Sequence, residues 1–396
     1  MLISIDEARE RVLAEARPLP PEDVRLEEAL GRALAEDVRS AEDLPPFDSS
    51  AMDGFALMAG PGGELQIVGE SRAGHPTDRV LAPGEAIRIS TGAVVPAGAD
   101  AVVPIERVDV ADGRVRVPET SAGANLRRAG EDLRAGEPVL AAGTELGPAE
   151  IAVLAALGRP RVSAGAVPAV AVLVTGDELV APGEPLLPGQ IRNSNGYAIA
   201  AQASRAGARV ISGPTMVRDH RAATEAALAG ALEAADLVCV SGGVSVGPHD
   251  HVKPALAALG VEERFWGVRL KPGKPTWFGV RGDKLVFGLP GNPVSAMVTF
   301  HLFARPALRR LAGADPTDTR VRAILDKPLQ RSPERDQVIR CRVSARDDGF
   351  HVEPTKDQGS HVLSSMLAAD AFALVAAGEG ELGVGERVPV ELLRSG

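Results

Sequence analysis

The rhythm of apolar positions changes along the chain. Residues 4–17 and 25–39 carry helical spacing; in the second stretch Leu26, Leu30, Ala33, Leu34 and Val38 share one face. Ser4 and Glu7 have capping-box spacing at the start of the first. "DLPPFDSSAMDGFAL" (43–57) ends this pattern, and from about 48 to 140 the segments are short and β-like: "LQIVGE", "AIRIST", "AVVPIE", "RVRVPE". Asp112-Gly113 between two Val-rich arms predicts a hairpin. Helical pattern returns in "GPAEIAVLAALG", with Pro148 in its first turn and Gly158 past its end.

From 168 to about 313 apolar strands alternate with helices. "AVAVLV" and "LVCV" are continuous apolar runs, as expected of parallel strands buried on both faces. Helices are expected after Asn193-Ser194 as far as Gly207, over "HRAATEAALAGALEAA" with Asp219 as a possible cap, over about 251–259, and after Asn292-Pro293. This alternation predicts βαβ units and a mostly parallel sheet. From about 319 the pattern is β again, with a hairpin turning near Asp348-Gly349.

Composition narrows the picture. At 396 residues the chain has room for two to four domains, and 45% hydrophobic residues suffice for a core. Aromatics are only 3%, so that core must be mostly Ala, Val and Leu. The net charge of −10 disfavours nonspecific binding to nucleic acid or anionic membrane. A small anionic ligand would need a local pocket of lysines and amides. Cys239 and Cys341 form no CxxC, which argues against a thiolate metal site and for reduced thiols in a cytoplasmic protein. No apolar run approaches the ~20 residues of a membrane-spanning helix, and "MLISIDEARERVL" lacks a signal-peptide core.

In an open α/β sheet, ligands bind beyond the carboxyl ends of the strands. Three such ends are unusual together: Thr175-Gly176-Asp177-Glu178, Ser241-Gly242-Gly243 (leading into Ser245 and Asp250), and Leu289-Pro290-Gly291-Asn292 followed by Pro293. One Gly-rich turn is usually only a turn. Three on one edge, with Glu178 and Asp250 close behind, point to an anion met by backbone amides. The chain lacks GxxxxGK[ST], and "SGGVSVG" does not fit GxGxxG, so a P-loop nucleotidase and a nicotinamide dehydrogenase are poor readings. In "RLKPGKP", Lys271 and Lys274 flank a Pro-Gly turn near Arg269; beside those strand ends they form a candidate oxyanion clamp. Glu178, Asp219 and Asp250 are candidate Mg²⁺ ligands, since hard cations take carboxylate oxygens and bridge phosphates. Asp219 is equally a natural helix cap. "SSAMDGFA" around Asp53 reads as a domain linker or an unusual hydroxyl-rich loop, and Thr91-Gly92 as a strand end. The sequence offers no Ser-His-Asp or Cys-His nucleophile.

Together "PPFDSSAMDGFA", "RISTGAVVPAGADAVVPIE", "AGEDLRAGE", "TGDEL", "IRNSN", "SGGVSVGPHDHVK", "LKPGKP", "GLPGNPVSA" and "QGSHVLSSM" resemble, in order and over nearly the whole chain, the molybdopterin molybdenumtransferase family of MoeA proteins and the gephyrin E domain. The resemblance implies a multidomain α/β and β fold. An elongated helical, dimerising domain (1–46 with 137–167) would carry an inserted β domain (47–136), an α/β molybdopterin-binding domain with a mostly parallel sheet (168–318) and a C-terminal β-barrel-like domain (319–396). It implies a cytoplasmic homodimer whose site lies between the α/β domain of one subunit and the inserted domain of the other. The implied reaction is molybdate insertion into adenylylated molybdopterin with release of AMP, using Mg²⁺. The molybdopterin adenylyltransferase and recipient molybdoenzymes are further partners the resemblance suggests.

By the same resemblance, the glycine turn at 242–247 would cradle the pterin phosphate, while Glu178, Asp219 and Asp250 serve the metal and nucleotide. Lys271 and Lys274, with Arg340 and Ser360, would receive molybdate. Asp53, Thr91 and Asp132 would come from the partner subunit. Two positions depart from the family pattern, and one assignment has a competitor. Phe55 stands where tyrosine is common, and Gly267 follows Trp266 where some members carry lysine, with Arg269 near enough to supply the charge. Arg342 competes with Arg340 for the arginine role, because alternate strand residues face opposite ways. The rival enzyme, a molybdopterin adenylyltransferase, leaves 1–165 and 319–396 unexplained. A gephyrin-like scaffold is the rival of another class.

Overall fold

A computed structural model describes residues 2–243, 251–317 and 320–393. Its centre is a six-stranded sheet in the order Arg209–Val217, Ala169–Thr175, Leu237–Ser241, Lys284–Leu289, Trp277–Arg281, Glu262–Trp266. The first four pair in parallel, and the last two join through antiparallel pairings, so that only Trp277–Arg281 runs against the rest. Every residue of Ala169–Thr175 and Leu237–Ser241 is buried, which is why neither alternates with polar residues. One face packs against helices Arg221–Ala234 and Val252–Ala258. The other packs against Asn195–Arg205, the helical run from Pro293 to Leu311 and the N-terminal helix Ile5–Glu15.

The N-terminal helix begins as its sequence suggests, with the Glu7 amide donating to Ser4 Oγ at 3.1 Å. The helix expected over 25–39 does not form. Leu26–Glu28 makes one 3₁₀ turn and Gly31 adopts φ +74°. Beyond it the chain is held by distant backbone: Leu34 N–H donates to Thr144 O at 2.8 Å and Ala35 N–H to Ser163 O at 2.9 Å. The leucine spacing is real, but tertiary pairing outweighs a weak local propensity. The elongated unit expected to be helical therefore has few helices. Pro148–Ala156 packs over strand pairs Glu22–Arg25/Arg161–Ala164 and Val38–Arg39/Pro138–Leu140.

The inserted region forms its own six-stranded sheet, including the hairpin Asp109–Ala111/Arg114–Val117. Its turn residues Asp112 and Gly113 both have positive φ, 49° and 73°, as a two-residue type I′ turn requires. The C-terminal strands Asp336–Arg346, Gly349–Pro354, Arg320–Leu325, Arg387–Leu392 and Ala371–Val375 close into a barrel, because the first also pairs with the last. Leu270–Lys271, from the α/β region, joins that barrel in parallel at Asp336–Gln337. Cys239 and Cys341 are buried free thiols whose pKa burial pushes up. Among the described residues no helix is long and apolar enough to cross a membrane.

A buried polar knot ties the barrel to the α/β domain. Pro306 has no N–H, so the carbonyl of Leu302, four residues earlier, lacks its α-helical donor. Phe300–Ala304 is a π-helical turn, and Arg9 Nε donates to Leu302 O at 3.0 Å. The same guanidinium pairs with Glu391 on the last barrel strand. Arg320 Nε lies 3.0 Å from that carboxylate and His301 Nε2 3.1 Å from it. Burial pushes the Glu391 pKa up, but His301 and Arg320 outweigh it and hold the group below its ordinary value.

Two outcomes are expected. Arg9→Ala leaves a buried carboxylate short of a partner and a carbonyl without its donor, so denaturant unfolding should show a loss of about 3–5 kcal/mol; under about 1 kcal/mol would mean Arg320 and His301 compensate fully. In the barrel, His351 Nδ1 is 2.8 Å from Asp326 and Nε2 2.9 Å from Asp348, and these bonds raise its pKa. A raised histidine stabilises the fold fully below its unfolded pKa of about 6.5 and loses that contribution as pH rises through the folded value. As pH rises above about 6.5, the unfolding midpoint should therefore fall more steeply in the wild type than in His351→Gln; parallel slopes would show that the imidazole is not charged in the fold.

Candidate functional site

Register sets the site. Val174 pairs with Ser241 and Ser241 with Leu289, so three parallel strands finish level and their glycine turns share one edge. Beyond that edge lies a cavity of about 690 Å³ lined by Thr175, Gly176, Glu178, Asp219, Ser241, Gly242, Gly243, Gly291, Asn292 and Pro293, among others. Glycine is obligatory at two of these positions. Gly242 (φ +92°) and Gly243 (φ +63°) occupy the left-handed region, and a Cβ on either would lie 2.9 Å from Thr175 Oγ1. Thr175 Oγ1 is itself buried without a hydrogen-bond partner among the described residues. Glu178 folds back over Gly176, where an added Cβ would come within 2.6 Å of its carboxylate.

Asn195 was not singled out from the sequence, yet it fastens two of the strand ends. Its Nδ2 donates to Ser241 Oγ at 2.9 Å and to Gly291 O at 2.8 Å. The caps expected of Asp219 and Asn292 are not made. The helix from Arg221 starts after His220 with no side-chain cap, and Asp219 N–H instead donates to Asp177 Oδ1 at 3.2 Å. That leaves the half-buried Asp219 carboxylate beside Glu178 on the cavity wall. Asn292 Oδ1 accepts no capping bond from the helix it precedes, and its Nδ2 donates to Ser360 Oγ at 3.2 Å.

A second cavity, about 970 Å³, adjoins the first and shares Glu178, Ile191, Gly291 and Asn292 with it. Lys271, Lys274 and Ser360, three of the four residues the resemblance assigns to molybdate, line it, and Pro290, Ser295, Arg335 and Gln337 join them. The lysine turn is braced from within. Val268 N–H donates to Lys274 O at 3.0 Å, and Thr276 Oγ1 to Gly273 O at 2.7 Å. Lys271, Lys274 and Arg335 form no ion pair among the described residues, in a chain of net charge −10. Arg335 and Gln337 carry no local sequence signal; only the non-local pairing with Lys271 brings them here.

Arg340 and Arg342 separate clearly. Arg342 is exposed and opposite Glu353. Arg340 is wholly buried and does not itself line the cavity. Its Nη2 donates to Asp357 O at 3.1 Å and Gly359 O at 3.3 Å, holding the loop that presents Ser360. Its Nε and Nη1 have no partner among the described residues, and burial lowers its pKa. Arg269 is exposed and lines neither cavity. Gly267 has φ +88° and a Cβ there would lie 2.7 Å from the Leu2 side chain, so a lysine would be strained. Phe55 is buried, with no opening for a hydroxyl contact to ligand.

Asp53, Thr91 and Asp132 line neither cavity of their own chain. Asp53 Oδ1 accepts from Thr91 N–H at 2.7 Å and from Thr91 Oγ1 at 3.1 Å, and the amide bond leads in holding its pKa below the ordinary value. Asp132 is exposed. Ser245 and Asp250 lie outside the described residues. Among those described, no three His, Cys, Asp or Glu side chains cluster as a ready-made metal site.

Three family models cover most of the chain in order. The MoeA N-terminal region (domain I and II) matches 3–158, the probable molybdopterin binding domain 171–310, and the MoeA C-terminal region (domain IV) 322–393. The chain is 36% identical over 400 residues to a molybdopterin molybdenumtransferase of Haemophilus influenzae, covering 98% of each. It is 32% identical over 406 residues to the Bacillus subtilis protein of the same name, covering 99% of this chain and 94% of that one. The crystal structure of a molybdopterin biosynthesis MoeA protein from Pyrococcus horikoshii superposes with a TM-score of 0.82 at 31% identity, covering 100% of both chains. Fold, motif order and full-length similarity agree: this chain belongs to the MoeA, or molybdopterin molybdenumtransferase, family.

Proposed function

We propose that this protein transfers molybdenum from molybdate into molybdopterin, presented as its adenylylated form, and releases AMP. The observation that carries the reading is the pair of joined cavities: one edged by glycine turns, the other walled by three cations with no ion-pair partner among the described residues. A phosphate-bearing ligand suits the first, where close-approaching backbone and the unspent Thr175 hydroxyl await an acceptor. A tetrahedral oxyanion suits the second. The adenylyltransferase alternative is not favoured, because the similarity extends through the N- and C-terminal regions as well as the α/β domain.

The chemistry needs positioning more than a protein nucleophile. Two dithiolene thiols meeting molybdate can surrender their protons to one oxide, which leaves as water while two Mo–S bonds form. Hydrolysis of the pyrophosphate link consumes one water, so insertion and AMP release balance without net water. Lys271 and Lys274 would hold the oxyanion beside the dithiolene, and Ser360 would orient it. Ser241, Gly242, Gly243, Gly291 and Asn292 would hold the pterin phosphate side and Thr175 and Gly176 the adenylyl side. Arg340 would keep the Ser360 loop in place.

Glu178 and Asp219 offer hard oxygen donors on one wall, a fit for Mg²⁺ with phosphate oxygens completing its shell; Asp250 would be the third protein ligand. Mg²⁺ bound there would neutralise phosphate charge. A cytoplasmic homodimer belongs to the same reading, as do encounters with the adenylyltransferase that supplies the substrate and the molybdoenzymes that receive the product.

The direct test is incubation with adenylylated molybdopterin, Mg²⁺ and molybdate, following AMP. AMP release should depend on molybdate; an equal rate without added or carried-over oxyanion would end the coupling claim. The preset Asp53–Thr91 pair, outside both cavities of its own chain, generates a second expectation. Asp53→Ala and Glu178→Ala proteins, each inactive, should regain activity when co-expressed, up to roughly a quarter of wild type, since half of random dimers are mixed and each has one intact site. No recovery in verified mixed dimers would place the whole site within one chain.

A further inference from the structure

A third cavity, about 230 Å³, lies between the α/β domain and the barrel and shares no lining residue with the two already described. Three elements connect it to the substrate edge. Asn195–Arg205 places Asn195 at the first cavity and Gln202 and Arg205 here. Pro293–Thr299 places Pro293 there and Met297 here, and Leu363–Ala368 places Leu363 there and Met366 here. Gln202 carries an unused acceptor. Its Nε2 donates to Met297 O at 3.2 Å. A carbonyl only accepts, so the amide cannot turn over, and Oε1 is left buried with no partner among the described residues. A buried idle carbonyl is costly unless a donor completes it. Arg205 and Arg305 put two guanidiniums on the wall, no described lining residue is a carboxylate, and Arg205 forms no ion pair among the described residues. Glu391, which His301 faces from the wall, is already met by Arg9 and Arg320.

We propose that this cavity is an effector site for a small 2-hydroxy carboxylate with an apolar body. Each part of such a molecule has a partner. The carboxylate meets the guanidiniums, the hydroxyl donates to Gln202 Oε1, and the alkyl body packs on Met297, Phe300, Met366 and Leu392. Gln202 and Arg205 are three residues apart on one helix, hence neighbours on its surface, so the hydroxyl and the carboxylate sit close together on the ligand. The donor is a hydroxyl rather than an ammonium because two guanidiniums repel a cation. The cavity is smaller than the roughly 300–1,000 Å³ of drug-sized sites, so its occupant is small. An occupant pins Gln202, and through its bond to Met297 it fixes the first two elements against each other. Their opposite ends carry the Asn195 bonds to Ser241 and Gly291 and the bond from Val294 N–H to Ser360 O, which hold the substrate edge. Occupancy therefore slows opening of that edge without touching it.

The test is calorimetric titration of the full-length protein with 2-hydroxy-4-methylpentanoate, 4-methylpentanoate and leucine, paired with amide hydrogen exchange in the free and bound protein. The hydroxy acid should bind, and the other two should bind about ten-fold more weakly or worse, one for want of the donor and the other for its ammonium. Gln202→Leu should bring the hydroxy acid down to the level of 4-methylpentanoate. Arg205→Ala, at an exposed position that the fold does not depend on, should weaken both acids about ten-fold. In wild type the hydroxy acid should slow exchange at residues 291–296 and 359–363, which lie outside the cavity, and at the same concentration it should slow them less in Arg205→Ala. A flat titration at millimolar hydroxy acid overturns the proposal. Equal affinity for the two acids also overturns it, because a water rather than a ligand would then complete Gln202. Binding that leaves exchange at the substrate edge unchanged removes the effector role and overturns the proposal as well.

Discussion

A two-residue ladder underlies the geometry of this protein. Leu270–Lys271 belongs by sequence to the α/β domain but pairs with Asp336–Gln337 of the barrel. Without that pairing the lysine turn would be an exposed basic loop, and the second cavity would lose one wall. The barrel is also held at two further polar points. Ser360 O accepts from Val294 N–H at 3.2 Å, capping a helix from another domain, and Arg9 links Leu302 to Glu391. Polar contacts between domains are weak individually but directional. Three of them, set apart, fix orientation where one apolar patch would allow sliding.

What the sequence made legible follows from how local each signal is. The parallel sheet was readable because complete burial removes polar alternation from "AVAVLV" and "LVCV". The Asp112-Gly113 hairpin was readable because its turn needs two positive φ values. The glycine turns fell together because strands of matched register must end together. The misreadings were tertiary. Helical spacing over 25–39 gave way to pairing with residues more than a hundred positions away. Asn292, at a cap position, makes no cap and instead gives its amide N–H to Ser360, 68 residues away. Asn195, Arg335 and Gln337 acquire their neighbours only when distant segments meet.

The electrostatics make the same point from another side. Several surface arginines here spend their charge on a nearby carboxylate: Arg11 on Glu7, Arg79 on Glu85, Arg221 on Glu225. Among the described residues the three cations of the second cavity do not. Three like charges around one cavity repel one another, the more weakly because both lysines are exposed to water. Pairing one with Glu178 would relieve that repulsion, yet the Glu178 carboxylate instead folds over Gly176 toward the first cavity. Charge of opposite sign is thus kept apart at the boundary the two cavities share. An anion bound on one side and a cation bound on the other would each meet charge of the opposite sign, so that ligand binding would add to the stability of the fold.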